Sequence, residues 1–189
     1  MAKVFFILGS AGTGKSSLAK RFVRFRNFKR NEKWTIVDID QIGYYFSPKL
    51  MAMMGADPHD RDSPLFKENI RDSLYETALL LIKEQLYLGL NVVVPGPWTK
   101  EIQNELIFFA EKMNFPIDTQ IKYLYLTESF DTIKKRIEQR NDPRDIWKIN
   151  NWEAYVANIN KPNNQIERFA ITTCESSNKE KINNFIRNI

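Results

Sequence analysis

The sequence predicts an α/β fold, a three-layer sandwich with right-handed crossovers around a five-stranded parallel sheet. Three observations predict it. Short runs rich in β-branched and aromatic residues are apolar on both faces, as in strands covered on two sides. Longer stretches with helical spacing separate them, so strand and helix alternate. A chain of 189 residues, 43% of them hydrophobic, suits one such domain with a sizeable core.

The elements follow in order. "KVFFIL" from Lys3 is the first strand, and behind it Leu18, Phe22 and Phe25 share one face of a helix. "WTIVDI" from Trp34 is the second strand. A segment from Ser47 to Pro64, with three prolines, a glycine and three carboxylates, has no clear period and reads as a mobile substrate loop, 47–64. Leu74, Ala78, Leu81, Ile82 and Leu86 then form a helical stripe that Gly89 stops. "NVVVP" from Asn91 is the third strand. Ile102, Leu106, Phe109 and Met113 make a further helical stripe, opened by Thr99 with Glu101 and Gln103 close behind. "IKYLYL" from Ile121 and "FAITT" from Phe169 complete the sheet, and a short turn and a closing helix end the chain.

Composition bounds the function classes. The net charge of +5 suits an anionic ligand, but the Lys and Arg residues are spread along the chain and select none. A single cysteine, Cys174, excludes an internal disulfide and a cysteine-cluster zinc site, and reads as a small residue at a strand end. No leader-like segment and no apolar run long enough for a bilayer is visible, so the expectation is a cytoplasmic protein that does not engage a membrane.

The specific signal is "GSAGTGKSS", Gly9 to Ser17, set between the first strand and the first helix. Gly9, Gly14, Lys15 and Ser16 satisfy glycine, any four residues, then Gly-Lys-Ser/Thr, the phosphate-binding loop (P-loop) of nucleotide-binding proteins. Its backbone N–H groups from Ser10, Ala11, Gly12 and Thr13 onward wrap the β-phosphate. Lys15 reaches the β- and γ-phosphates, the Ser16 hydroxyl faces Mg2+, and the helix dipole adds positive potential. The fold class is therefore the P-loop NTPase sandwich, one domain over 1–189, with ATP and Mg2+ as cofactors.

Two carboxylates follow the second strand in "DIDQI". Alternation places Asp38 and Asp40 on opposite faces of a strand end beside the loop. One can hold Mg2+ or its water, and the other can accept a proton from an acceptor hydroxyl; Asp40 as the cap of a helix from Gln41 is the structural alternative. The third strand ends "VVVPGPW", without the carboxylate that a motor ATPase places there, which disfavours hydrolysis-driven motion. Gly96 lies in a stiff turn beside Trp98, a stacking or packing residue. In "DTIKKRIEQRNDPRDIWK", Arg136 and Arg140 share a helix face and Arg144 follows a break. They suit a flap, 129–158, that closes over the phosphates, with a solvated basic face as the alternative. His59 lies in the irregular loop and is not expected to be catalytic, and Thr173 to Ser176 are candidates for the adenine side.

These residues resemble the small P-loop kinases related to shikimate kinase, gluconate kinase, chloramphenicol phosphotransferase, zeta toxins and phage polynucleotide kinase. The layout is similar from Lys3 to the last helix, although only the glycine loop is highly specific. "DIDQI" resembles the Asp-x-Asp of shikimate kinases, which implies Mg2+ on Asp38 and the acceptor on Asp40. The flap of the polynucleotide kinases implies catalytic roles for Arg136 and Arg140 and nucleotide contact for Arg144. Those enzymes carry an arginine soon after the acceptor aspartate, whereas Ile42, Gly43 and Tyr44 stand here, and their third strand often ends in a carboxylate.

The expected function is a kinase: an ATP- and Mg2+-dependent transfer of the γ-phosphate to a hydroxyl of a small-molecule or nucleoside-like acceptor. The catalytic set is Lys15, Asp40, Arg136 and Arg140. Gly9 to Ser17 with Arg144 hold the nucleotide, and Ser16 and Asp38 hold the metal. The alternatives are a 5′-hydroxyl polynucleotide kinase and a nucleotide-dependent switch or ATPase read by a protein partner.

Overall fold

All five strands lie in one parallel sheet, in the order β2-β3-β1-β4-β5. The computed structural model describes residues 2–159 and 164–189. The strands are β1 (Lys3–Leu8), β2 (Trp34–Ile36), β3 (Asn91–Pro95), β4 (Gln120–Thr127) and β5 (Thr172–Glu175). The central β1 pairs with β3 from Val4↔Val92 to Ile7↔Pro95 and with β4 from Lys3↔Gln120 to Leu8↔Tyr125.

Alternation along β1 divides the core. Phe5 and Ile7 face a layer containing Leu18, Ala19 and Phe22 of α1 (Lys15–Arg30), together with Ile182 and Ile186 from near the chain end. Val4, Phe6 and Leu8 face the opposite layer, where Leu74, Ala78 and Ile82 pack. Three apolar layers result, as the strand composition requires.

Between β2 and β3 run α2 (Ile39–Ile42), α3 (Phe46–Met53), α4 (Pro64–Phe66) and α5 (Asp72–Tyr87), with a π-helical turn, Lys67–Arg71, joining the last two. After β3 come α6 (Thr99–Gln103) and a 3₁₀ turn, Leu106–Phe108. β4 leads to α7 (Phe130–Arg140), a 3₁₀ turn at Pro143–Asp145, α8 (Ile146–Asn150), α9 (Trp152–Ile159) and α10 (Asn164–Arg168). α11 (Lys179–Arg187) follows β5 and supplies Ile182 and Ile186.

Five local expectations are corrected. β2 stops at Ile36 instead of running through Ile39, because Asp38 caps α2 and turns the chain. The loop from Ser47 begins as helix, since α3 extends to Met53. Leu81, assigned to the buried stripe of α5, is 40% exposed, while Leu74, Ala78, Ile82 and Leu86 are buried as expected. The helix expected from Thr99 to Met113 ends at Gln103, and Glu105 adopts a left-handed conformation (φ 56°) that starts the 3₁₀ turn. The last strand begins at Thr172, because Phe169 closes α10 by donating its N–H to Gln165 O, and Ala170 (φ 49°) reverses the chain.

Candidate active site

The glycine loop lies between the end of β1 and the start of α1, and its shape depends on residues without a side chain. Gly9 has φ 133°, and a Cβ there would lie 2.4 Å from Leu126 O of β4. Gly14, at φ 89°, turns the chain directly into α1. Thr13 Oγ1 donates to Ser10 O at 2.8 Å and closes the loop on itself. The first turn of α1 has neither a side-chain cap nor an acidic residue, so the positive end of its dipole faces the loop unopposed.

Lys15 reaches back across this loop and donates Nζ to Ser10 O at 2.5 Å. Burial pushes its pKa down from 10.5 to about 8; Asp40 and then Asp38 oppose the shift, and Arg140 and Arg144 reinforce it. Lys15, Arg140 and Arg144 thus lie in electrostatic range of one another, with Asp40, Asp142 and Asp145 as present partners of the two guanidiniums.

Ser16 Oγ donates to Asp38 Oδ2 at 3.1 Å, so the structure brings together the two residues that the sequence assigns to a metal. The other oxygen, Asp38 Oδ1, accepts the Asp40 N–H at 3.0 Å as the cap of α2. Asp38 and Asp40 therefore do not sit on opposite faces of a strand: the first is the cap and the second lies in the helix. Burial and then the Asp40 charge raise the Asp38 pKa, against hydrogen bonds from the Asp40 backbone and Ser16. The oxygen-only pair fits Mg2+, which keeps several waters and takes phosphate oxygens. Among the described residues no three His, Cys, Asp or Glu side chains converge on one point.

The three arginines expected over the phosphates divide. Arg144 Nη1 meets Asp40 Oδ2 at 2.9 Å while its Nε meets Asp142 at 3.0 Å. Arg140 is held by Asp145, a carboxylate only 1% exposed, through Nε at 2.7 Å. Lys148 stands 3.7 Å from Asp145 and pairs with Asp62 at 2.9 Å, fastening α8 to the 57–63 segment. Arg136 points elsewhere: it donates to Gly12 O at 3.2 Å and Ser176 Oγ at 2.8 Å, and pairs with Glu128 at 3.3 Å. Arg136, Ser176, Gly14, Ser17 and Arg21 line a cleft of about 340 Å³ beside the start of α1. The shared helix face thus serves two places, Arg136 the outer side of the loop and Arg140 the side of Lys15.

Other expectations resolve simply. Trp98 is fully buried, edge-on to Phe6 and Tyr75, and is a packing residue with no exposed stacking face. His59 is exposed, and its N–H donates to Asp57. Cys174 is buried in β5, where burial raises its thiol pKa.

Three features escape sequence reasoning. Arg61, in the irregular loop, lies within electrostatic range of Arg144 and Asp40. Tyr155 of α9 presents a buried hydroxyl toward the Ala11 N–H without closing a hydrogen bond to it. Arg71 grips Glu101 through two parallel bonds of 2.9 and 2.8 Å and stacks 3.8 Å over Tyr75. Only the departure of the Ser47–Pro64 segment from any period signalled the first of these. The Arg71–Glu101 pair joins residues 30 apart and has no local signature.

Comparison with known proteins agrees with this architecture. No curated protein matches the sequence. The fold is similar to a sugar kinase from Janibacter sp. HTCC2649 at 14% identity and TM-score 0.58, covering 100% of this chain and 92% of that one. It is similar to the tunicamycin resistance protein of Deinococcus radiodurans at 12% identity and TM-score 0.57, over 100% and 93%. A gluconokinase from Sinorhizobium meliloti 1021 aligns at 14% identity and TM-score 0.53, over 98% and 87%. At these identities the likeness is one of fold, the P-loop NTPase sandwich. Residues 4–162 match the family model described as an AAA domain, and with the glycine loop and parallel sheet in place the chain belongs to that family.

Proposed function

We propose that the protein is a single-domain, ATP- and Mg2+-dependent phosphotransferase acting on a hydroxyl of a small-molecule or nucleoside-like acceptor. The observation that supports this reading is the Ser16–Asp38 hydrogen bond at the start of α1, next to Lys15, whose charge interacts with Asp40 and Asp38. The hydroxyl oxygen of the acceptor forms a bond to the γ-phosphorus, the bond from that phosphorus to the β–γ bridging oxygen breaks, and ADP leaves. Asp40 accepts the hydroxyl proton, and Lys15 and Arg140 stabilise the charge on the phosphoryl oxygens. Ser16 and Asp38 would hold Mg2+, which would supply charge neutralisation on the phosphates. Arg144, whose pair with Asp40 spans the two sides, contacts the nucleotide as the flap 129–158 settles, and Arg136 supports the loop through Gly12 O.

A second reading, 5′-hydroxyl polynucleotide transfer, draws support from Tyr44 and Tyr45, 65% and 85% exposed in the connection between α2 and α3. The deciding experiment supplies γ-labelled ATP with a metabolite extract and a 5′-hydroxyl oligonucleotide. Label in a small organic product is expected. Label on the oligonucleotide alone promotes the second reading. Label only as free phosphate, at a rate indifferent to both additions, rejects transfer in favour of a nucleotide switch.

A further inference from the structure

Counted by themselves the Lys and Arg residues run the length of the chain, but set against the carboxylates they do not. Residues 15–33 carry eight Lys and Arg and one Glu, a net +7 that exceeds the +5 of the entire protein. All the other residues together sum to −2. The excess positive charge therefore belongs to one element, α1 with the residues directly behind it.

Most of that charge stands on the outer face. Leu18, Ala19, Phe22 and Arg26 are turned into the fold, and Arg26 pairs with Glu32, the one carboxylate of the segment. Lys20, Arg21, Arg24, Lys29, Arg30 and Lys33 are exposed, and among the described residues none of the six side chains has an ion pair or a hydrogen bond. Lys29 and Arg30 lie in the last turn, where the negative end of the helix dipole accounts for them. Lys20, Arg21 and Arg24 have no such support, and at spacings of three and four they repel one another.

The same face carries an aromatic ring. Ser17, Arg21, Arg24 and Phe28, spaced four, three and four, fall on one side of α1, and Phe28 is 83% exposed. At about 1.5 Å per residue this stripe runs roughly 16 Å, starting at the cleft that Ser17 and Arg21 line and leading away from the glycine loop. A line of cations that tracks a phosphate backbone, with an aromatic face on which a base can stack, is the surface that single strands require. A lipid surface asks for a broad apolar face beside the cations, and this stripe presents one apolar side chain. A duplex keeps the faces of its bases covered and would leave Phe28 unused.

We propose that the outer face of α1 binds a single-stranded nucleic acid, with Lys20, Arg21 and Arg24 on its phosphates and a base stacked on Phe28. Contacts of this kind read no sequence, so the strand is held without sequence preference. Because the stripe lies past the glycine loop, binding requires neither ATP nor a 5′-hydroxyl end, and it stands whether or not the phosphotransfer reading does.

The test is fluorescence anisotropy of the full chain with a 5′-phosphorylated, mixed-sequence oligonucleotide labelled at its other end, at stepped salt. The logarithm of the affinity is expected to fall linearly with that of the salt concentration, with a slope of about −0.7 per phosphate neutralised. Lys20→Gln combined with Arg24→Gln removes two such contacts, so the slope should flatten by about 1.4. Phe28→Ala should lower affinity about 5- to 100-fold. These side chains are exposed and lie outside the nucleotide set, so ATP binding and melting are expected to stay at parental values. No binding at low salt overturns the proposal. A parental slope in the double variant overturns it as well, and puts the strand elsewhere, as on Tyr44 and Tyr45. A duplex bound as tightly as the strand, or a strand indifferent to Phe28→Ala, rejects the stacked single strand. Tighter binding to phosphatidylserine-containing vesicles than to the strand, at matched salt, rejects nucleic acid in favour of a membrane.

Discussion

Asp40→Asn removes one charge at constant shape, and the structure separates its effects on folding and on transfer. Asp40 is 63% exposed and its partner Arg144 27% exposed, so solvent screens their 2.9 Å pair. Such a pair contributes about 0–1 kcal/mol, which for a domain of this size moves Tm by no more than about 4 °C. The cap of α2 is unaffected, because it uses the Asp40 backbone N–H and the Asp38 carboxylate. Loss of a general base, by contrast, lowers transfer by about 10²- to 10⁴-fold. One indirect effect needs control. Asp40 is the foremost group holding up the Lys15 pKa, so its loss lowers that pKa below about 8. ATP affinity is therefore measured below pH 7, where the ammonium keeps its proton, by calorimetry alongside a thermal melt and the γ-label assay. The expected pattern is near-native melting, near-native ATP binding and transfer reduced by two orders of magnitude or more. Transfer within a few-fold of the parent, with the protein folded, refutes Asp40 as the base.

Two further outcomes follow from the same geometry. Lys15 has a folded-state pKa of about 8 against an ordinary value of 10.5, so between these pH values the unfolded chain binds more protons than the folded one. Stability of the nucleotide-free protein therefore rises with pH across this window. Lys15→Met is expected to lack that rise in denaturant titrations at stepped pH, while ATP affinity of the parent falls above pH 8. For Asp38 the two roles can be split: Asp38→Asn keeps a capping oxygen and should melt close to the parent, whereas Asp38→Ala loses the cap at about 1 kcal/mol. Both should raise the Mg2+ concentration needed for half-maximal activity by tenfold or more, and equal Mg2+ requirements in parent and variants would remove Asp38 from the metal site.

The parts of this molecule legible in its sequence are those governed by local chemistry. β1, β3 and β4 were read close to their bounds because each run is apolar on both faces, and the glycine loop was legible because its spacing is dictated by phosphate. Where a tertiary contact overrides local preference, the reading failed. Nothing local says that Glu105 reverses the chain at φ 56° and ends a stripe continuing in pattern to Met113. Asp38 and Asp40 were recognised as a pair but placed on a strand, since Asn, Asp and Ser caps compete with strand continuation over only a few residues. Arg136, Arg140 and Arg144 are legible as cations. Their division between Gly12 O and Asp145 depends on partners brought in by β4, β5 and the 3₁₀ turn, which periodicity does not encode.

The π-helical turn Lys67–Arg71 amounts to one residue more than a regular helix would hold between α4 and α5. Each residue of an α-helix advances the chain by about 100°. Deleting a single residue within this turn would restore regular winding and swing everything upstream, Phe66 first, by roughly that angle about the α5 axis. Because α5 is anchored in the core through Leu74, Ala78 and Ile82, the displaced part is the segment carrying Arg61 and Asp62. One backbone insertion thus acts as the protractor of the segment that precedes α4. Chains of this fold that differ here by a single residue would turn a different side chain toward Lys148, where Asp62 now pairs, without altering the sheet or the glycine loop.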